Sequence, residues 1–164
     1  DVYKRQGGKL LVTFPEAGWY IQTRLKWTDV SNGFFPALWF PPEGPGAEID
    51  IVEGGWTGGN PNMNAHADYA ATGGAGNQQQ TVINVGVDFS QEFGIFGCEF
   101  RAGVGCKFFV NGHQWAASPP CPGTPTYNFA ITPQHTPGNS GGWHTQGPGT
   151  GKMYVAEVQA YSLA

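Results

Sequence analysis

The sequence predicts an all-β protein, a sandwich or barrel of about ten short strands. Gly and Pro are abundant, at 26 and 13 residues, and so widely spread that no stretch keeps an amphipathic helical pattern. Runs rich in aromatic and β-branched residues recur along the chain with turn signals between them. Within the clearest run, Trp19, Ile21, Thr23, Leu25 and Trp27 alternate with Tyr20, Gln22, Arg24 and Lys26, the period of a half-buried strand. A chain of 164 residues with 40% hydrophobic content suits one domain over residues 1–164 with one core. Six Trp, six Tyr and eleven Phe argue against the disorder that Gly and Pro alone would suggest.

In chain order the expected strands are KLLVTF, WYIQTRLKW, FFPALWF, AEIDIVEG, MNAHADYA, QTVINVGV, EFGIFGCEF, VGCKFFVNG, TYNFAIT and KMYVAEVQAY. Expected loops are PPEGPG at 41–46, GGWTGGNPN at 54–62 and TPGNSGGWHTQGPGTG at 136–151. Trp56 and Trp143 stand in the last two. An indole in a Gly-rich polar loop has little core to join, so each belongs to a surface or cleft, unless it folds back over the sandwich edge.

The net charge is -4 and the eight basic residues are scattered, which gives no footprint for nucleic acid or anionic membranes. No apolar run reaches the length of a bilayer span, so a soluble protein is expected; a monomer is the expected state. The first ten residues, DVYKRQGGKL, lack the apolar stretch of a signal peptide. Cys98 and Cys106 lie symmetrically about Ala102. A hairpin through RAGVG would set them opposite one another for a cross-strand disulfide, although two reduced strand cysteines fit equally well. Cys121, between prolines, has no obvious mate.

The segment AEIDIVEGG crowds Glu48, Asp50 and Glu53 among Ile and Val. A helix would send Glu48 and Asp50 to nearly opposite sides, whereas a strand aligns them on one face and turns Ile49 and Ile51 to the other. Strict alternation would then turn Glu53 away. A β-bulge at Ile51 or Val52 restores it to the acidic face, and bulges are frequent beside active sites. Like charges in close file repel and raise one another's pKa, a cost that points to use. Glycoside hydrolysis needs one ionised carboxylate at the anomeric carbon and one protonated carboxyl at the leaving oxygen. Alternate strand residues lie about 6.5 Å apart, close enough for side chains to lean to the roughly 5 to 5.5 Å of a retaining mechanism. Two other readings are a cation site, for which a structural calcium is the candidate, and plain surface acids on a solvated edge strand.

EIDIVE resembles the E-x-D-x-x-E signature of glycoside hydrolase family 16, the laminarinases, licheninases, agarases and carrageenases, in its bulged version. GWYIQTRLKW, GFFPALWFPP and AEIDIVEGG resemble that family's successive strands in the same order. NAHADY, FGCEFRAGVGCKFFVNGHQ and KMYVAEVQAYS extend the likeness over roughly residues 7–162. The resemblance implies a jelly-roll sandwich of two curved antiparallel sheets with a cleft on the concave face. It implies Glu48 as nucleophile, Glu53 as general acid/base, and Asp50 between them, holding the nucleophile and tuning a coupled titration. Family members usually carry further N-terminal strands, which here would be missing or replaced. The Trp that laminarinases commonly place before the first Glu is absent, with Gly44, Pro45, Gly46 and Ala47 in its place.

Sugars are gripped by aromatic faces and by side chains that hydrogen-bond hydroxyls. Trp39, Trp56 and Trp143 are the aromatic candidates, with Arg24, Asn32 and His66 as polar neighbours. His66 alternates with Asn62, Asn64 and Asp68, a polar stripe that would line the cleft or face solvent. Trp39 serves the cleft or the core. No Cys-x-x-Cys or His-x-x-x-His spacing suggests zinc, and no cofactor is expected. Few basic residues could reach the cleft, which favours a neutral glucan or galactan over a sulphated or uronic polymer. The expected function is a secreted, extracellular retaining endo-glycosidase cleaving a β-1,3- or mixed-linkage β-glucan. The alternatives are a galactan-directed hydrolase, or a lectin-like module on the same sandwich without turnover.

Overall fold

The computed structural model describes residues 8–11, 17–28, 30, 34–40, 48–55, 61–63, 65–70, 80–82, 85–117, 128–135 and 151–163. Within them run strands β1 (Gly8–Leu11), β2 (Gly18–Trp27), β3 (Phe34–Phe40), β4 (Glu48–Gly54), β5 (Ala65–Ala70) and β6 (Gln80–Val82). They continue with β7 (Gly94–Arg101), β8 (Gly105–Val110), β9 (His113–Ala117), β10 (Asn128–His135) and β11 (Met153–Ser162). The fold is a jelly-roll sandwich of two antiparallel sheets, ordered β1-β10-β3-β4-β5-β6 and β11-β2-β7-β8-β9. Among the described residues the only helical element is the 3-10 turn Pro61–Met63.

Alternation in β2 works as its sequence dictates. Trp19, Ile21, Thr23, Leu25 and Trp27 are at most 1% exposed, and the residues between them face outward from the five-stranded sheet. Trp19 packs on Phe100 of β7 at 5.3 Å and, across the sandwich, on Phe40 of β3 at 5.0 Å. A second aromatic knot joins Trp27, Phe89 and Phe96, with ring centroids 4.8 to 5.6 Å apart. Contacts of this kind add about 0.5 to 1.5 kcal/mol each beyond burial. The six-stranded sheet gives the same core Leu38, Ile49, Ile51 and Val52.

Two expectations are corrected. The β7–β8 hairpin pairs Arg101 with Gly105, so its centre lies at Gly103 rather than Ala102. Gly103 and Gly105 take φ of 72° and 117°, a left-handed path that glycine follows without strain. Cys98 consequently faces Phe108 and Cys106 faces Phe100. Diagonal neighbours of this kind lie about 7 to 8 Å apart, beyond disulfide reach. Both side chains are buried in the core, and no bridge joins them. The other omission is β9. Asn111 and Gly112, with φ of 50° and 79°, form a two-residue turn that reverses the chain from Val110 to His113. Asn-Gly is the strongest short signal for a hairpin, so a returning strand was readable there.

Candidate active site

β4 lies inside its sheet, hydrogen-bonded to β3 on one side and β5 on the other, so it is not a solvated edge strand. Ile49 is fully buried in the core, which turns Glu48 and Asp50 to the outer face of the six-stranded sheet. Beyond Asp50 the alternation breaks, because Ile51 and Val52 both enter the core, at 1% and 0% exposure. Neighbouring strands register the same break. Trp39 pairs with Asp50 while Leu38 pairs with Val52, and Asp68 pairs with Asp50 while His66 pairs with Glu53. One extra residue of β4 is accommodated, a β-bulge, and Glu53 rejoins the face of Glu48 and Asp50.

The three acids differ in surroundings. Asp50 is 5% exposed, whereas Glu48 and Glu53 are half-buried. Ala37 and Trp39 of β3 stand opposite Glu53 and Asp50 respectively. Trp39 is half-buried between core residues Leu38 and Phe40, so its indole shares the face of the acids. On the other flank the β5 backbone carries His66 and Asp68 at the positions facing Glu53 and Asp50. Immediately after Glu53, Gly54 runs so close to its neighbours that a Cβ there would lie 2.8 Å from Pro36 Cγ and 3.0 Å from Trp27 Cζ2. Bare backbone at that point fixes how the end of β4 sits on β3.

Among the described residues no group of three His, Cys, Asp or Glu could hold a metal ion. The arrangement instead offers carboxyl groups in a row beside an aromatic wall, suited to proton transfer and to stabilising positive charge.

Arg24 does not join this site. It is exposed on the outer face of the five-stranded sheet, with its guanidinium carbon 4.7 Å from the centre of the Phe93 ring, and both sheets separate it from Asp50. The β2 alternation that buries Thr23 and Leu25 requires this. Asn62 also leaves the polar stripe. It lies in the 3-10 turn, 8% exposed, and its Oδ1 accepts a hydrogen bond of 3.0 Å from the Val30 N–H. Asn32, Trp56 and Trp143 lie outside the described residues, as do Asn64 and Cys121. Asp68, which sequence reading treated as one of a stripe, stands directly opposite Asp50. The i, i+2 spacing from His66 was the signal for it.

No protein-family model and no curated protein matches the chain. Solved structures do match in fold. The catalytic domain of an endo-1,3-beta-glucanase (laminarinase) from Thermotoga petrophila RKU-1 is similar at a TM-score of 0.70 and 19% identity, over 96% of this chain and 68% of that one. A prokaryotic beta-1,3-1,4-glucanase (lichenase) derived from a mouse hindgut metagenome gives 0.75 and 18%, over 95% and 70%. A glycoside hydrolase family 16 endo-glucanase from Bacteroides ovatus gives 0.70 and 16%, over 96% and 74%. The jelly-roll sandwich of this chain is thus a fold that these glucanases share.

Proposed function

We propose that the chain is a retaining endo-glycosidase of the family 16 type, acting on a neutral β-1,3- or mixed-linkage β-glucan. The observation that carries this reading is the bulge at Ile51 and Val52, which returns Glu53 to the face of Glu48 and Asp50. Similarity in fold to a laminarinase, a lichenase and a family 16 endo-glucanase supports it independently. Glu48 attacks the anomeric carbon while Glu53, protonated, gives its proton to the departing glycosidic oxygen. The bond to the leaving sugar breaks as a glycosyl ester forms on Glu48. Glu53, now ionised, removes a proton from water as that water attacks the anomeric carbon, breaking its bond to the Glu48 carboxylate and releasing the sugar. Asp50, the most buried of the three, lies between them and sets their charge balance. Trp39 supplies a stacking wall and His66 a polar flank.

Release of reducing ends from laminarin, lichenan, agarose and carrageenan tests the assignment. Hydrolysis of the first two, falling by at least about a thousandfold in Glu48→Gln with polymer binding largely kept, supports it. Agarose as the preferred substrate would move the reading to a galactan. A silent panel with binding intact would leave a lectin-like module.

A further inference from the structure

Far from the acids, the outer face of the five-stranded sheet carries an ordered ladder of polar and aromatic side chains along β2 and β11. Its first rung is Tyr20 with Tyr161, ring centroids 6.2 Å apart. In the second, Gln22 Nε2 donates to Gln159 Oε1 at 2.6 Å. Hydroxyls of the first rung lock the second. Tyr20 donates to Gln22 Oε1 at 3.1 Å and Tyr161 to Gln159 Oε1 at 2.8 Å. Gln159 Nε2 continues the chain to Glu157 Oε1 at 2.5 Å. Glu157 is paired in register with Arg24, and the last rung sets Lys26 Nζ 5.5 Å from the centre of the Tyr154 ring. Four rungs at alternate strand positions run about 20 Å.

This surface is exposed and yet organised. Tyr161 is 50% and Tyr154 42% exposed, one tyrosine at either end. Beneath Tyr20, Gly97 leaves room that a Cβ would take from the hydroxyl, and the Phe109 ring meets Tyr20 edge-on at 5.9 Å. Exposed aromatic side chains held in place on a sheet face are a cost to a free monomer and mark binding surfaces. Charges of both signs flank the ladder, Glu99 and Glu157 against Arg24, Lys26, Arg101 and Lys107. Arg24 and Lys26 lie over the Phe93 ring, and Glu99 is gripped by Arg101 at 2.9 Å and Lys107 at 3.3 Å. Beside the rung of Arg24 and Glu157, the ladder presents ring faces, amides and hydroxyls, groups that stack on and hydrogen-bond an uncharged polyhydroxyl chain.

We propose that this ladder is a second glycan-binding surface, holding a linear neutral polysaccharide on the side of the sandwich opposite the candidate active site. Choosing a β-glucan as the probe rests on the proposed function; the geometry of the ladder does not.

Native electrophoresis through gels containing laminarin, lichenan or carrageenan tests it, comparing the wild type with Tyr154→Ala/Tyr161→Ala. Both tyrosines are surface residues, and a thermal melt confirms that the fold is kept. The expected result is retardation by a neutral glucan that weakens about tenfold in the variant, with unchanged kcat/KM on a short soluble oligosaccharide. Tyr161→Phe, which keeps the ring, should bind within about twofold of wild type. Hydrogen exchange supplies a second reading, with laminarin expected to slow amide exchange along β11. Equal retardation of variant and wild type, retardation by carrageenan alone, or no retardation of the wild type would each overturn the proposal. Lost retardation in a protein that hydrolyses nothing would uphold the ladder and discard the proposed enzyme. Hydrolysis with unaltered retardation would do the reverse.

Discussion

Trp39 is paired with Asp50 across β3 and β4, on the outer face of the six-stranded sheet. A half-buried indole thus lies beside the most buried of the three acids, with Leu38 and Phe40 on either side of it committed to the core. That alternation ties the acidic face to the packing of the sandwich. Side chains behind β4 hold its register, and the bulge follows from burying Ile51 and Val52 together.

Gly54 is the place where packing and site meet. In Gly54→Ala the new methyl would press on Pro36 and Trp27, neither of which has a flexible end to move aside. The substitution is expected to cost about 1 to 3 kcal/mol, as overpacking in cores does. Urea denaturation should show a lower midpoint at unchanged slope, and hydrolysis should fall further than stability alone explains because Glu53 precedes the displaced residue.

Thr23 should be improvable. Its side chain is fully buried in β2, and among the described residues its Oγ1 has no hydrogen-bond partner. An unsatisfied buried hydroxyl costs about 1 to 3 kcal/mol. Thr23→Val keeps the β-branch and removes the orphaned donor, so a gain of about 1 kcal/mol is expected, seen as a melting temperature about 2 to 4 °C higher.

The two core cysteines give a chemical test of the hairpin register. With Cys98 and Cys106 buried and not bridged to each other, neither should react with iodoacetamide in the folded protein. Both should be alkylated on denaturation without reductant, as peptide mass spectrometry would show. A requirement for reductant would mean a bridge and a different register.

Glu99 ties part of the stability to pH. Its carboxylate accepts a hydrogen bond from Arg101, which with Lys107 holds its pKa below the ordinary glutamate value against the opposing effect of burial. A depressed folded-state pKa means that the unfolded chain takes up the proton first. The stabilisation is therefore complete above the unfolded glutamate pKa and is lost as pH falls through the folded one. Arg101 and Lys107 are partly exposed, so the effect should stay under about 1 kcal/mol. Thermal melts of wild type and Glu99→Gln should differ near neutrality and converge in acid.

Much of the fold was legible because apolar residues commit strands to faces. The β2 alternation and the Ile and Val of β4 were enough to place the core, and acids between such residues had only one other face to occupy. Legibility failed where register depends on turn geometry. Glycines at 103 and 105 moved the β7–β8 pairing and separated the cysteines, whereas β9 was legible only from the Asn-Gly turn at 111, since HQWAA carries no strand signal of its own. For Arg24 the strand alternation named its face correctly, but one sequence does not say which of two sheets a face belongs to. Asn62 looked like cleft lining because its tie to the Val30 backbone, 32 residues away in sequence, leaves no local trace.

The central claim is that Glu48 and Glu53, brought to one face by the bulge, act as nucleophile and acid/base of a double displacement. Proton NMR of the first reducing sugar released from a mixed-linkage β-glucan, recorded before mutarotation, tests this most directly. A β-anomer formed first is the predicted result, since two inversions restore the configuration of the substrate. An α-anomer formed first would contradict it.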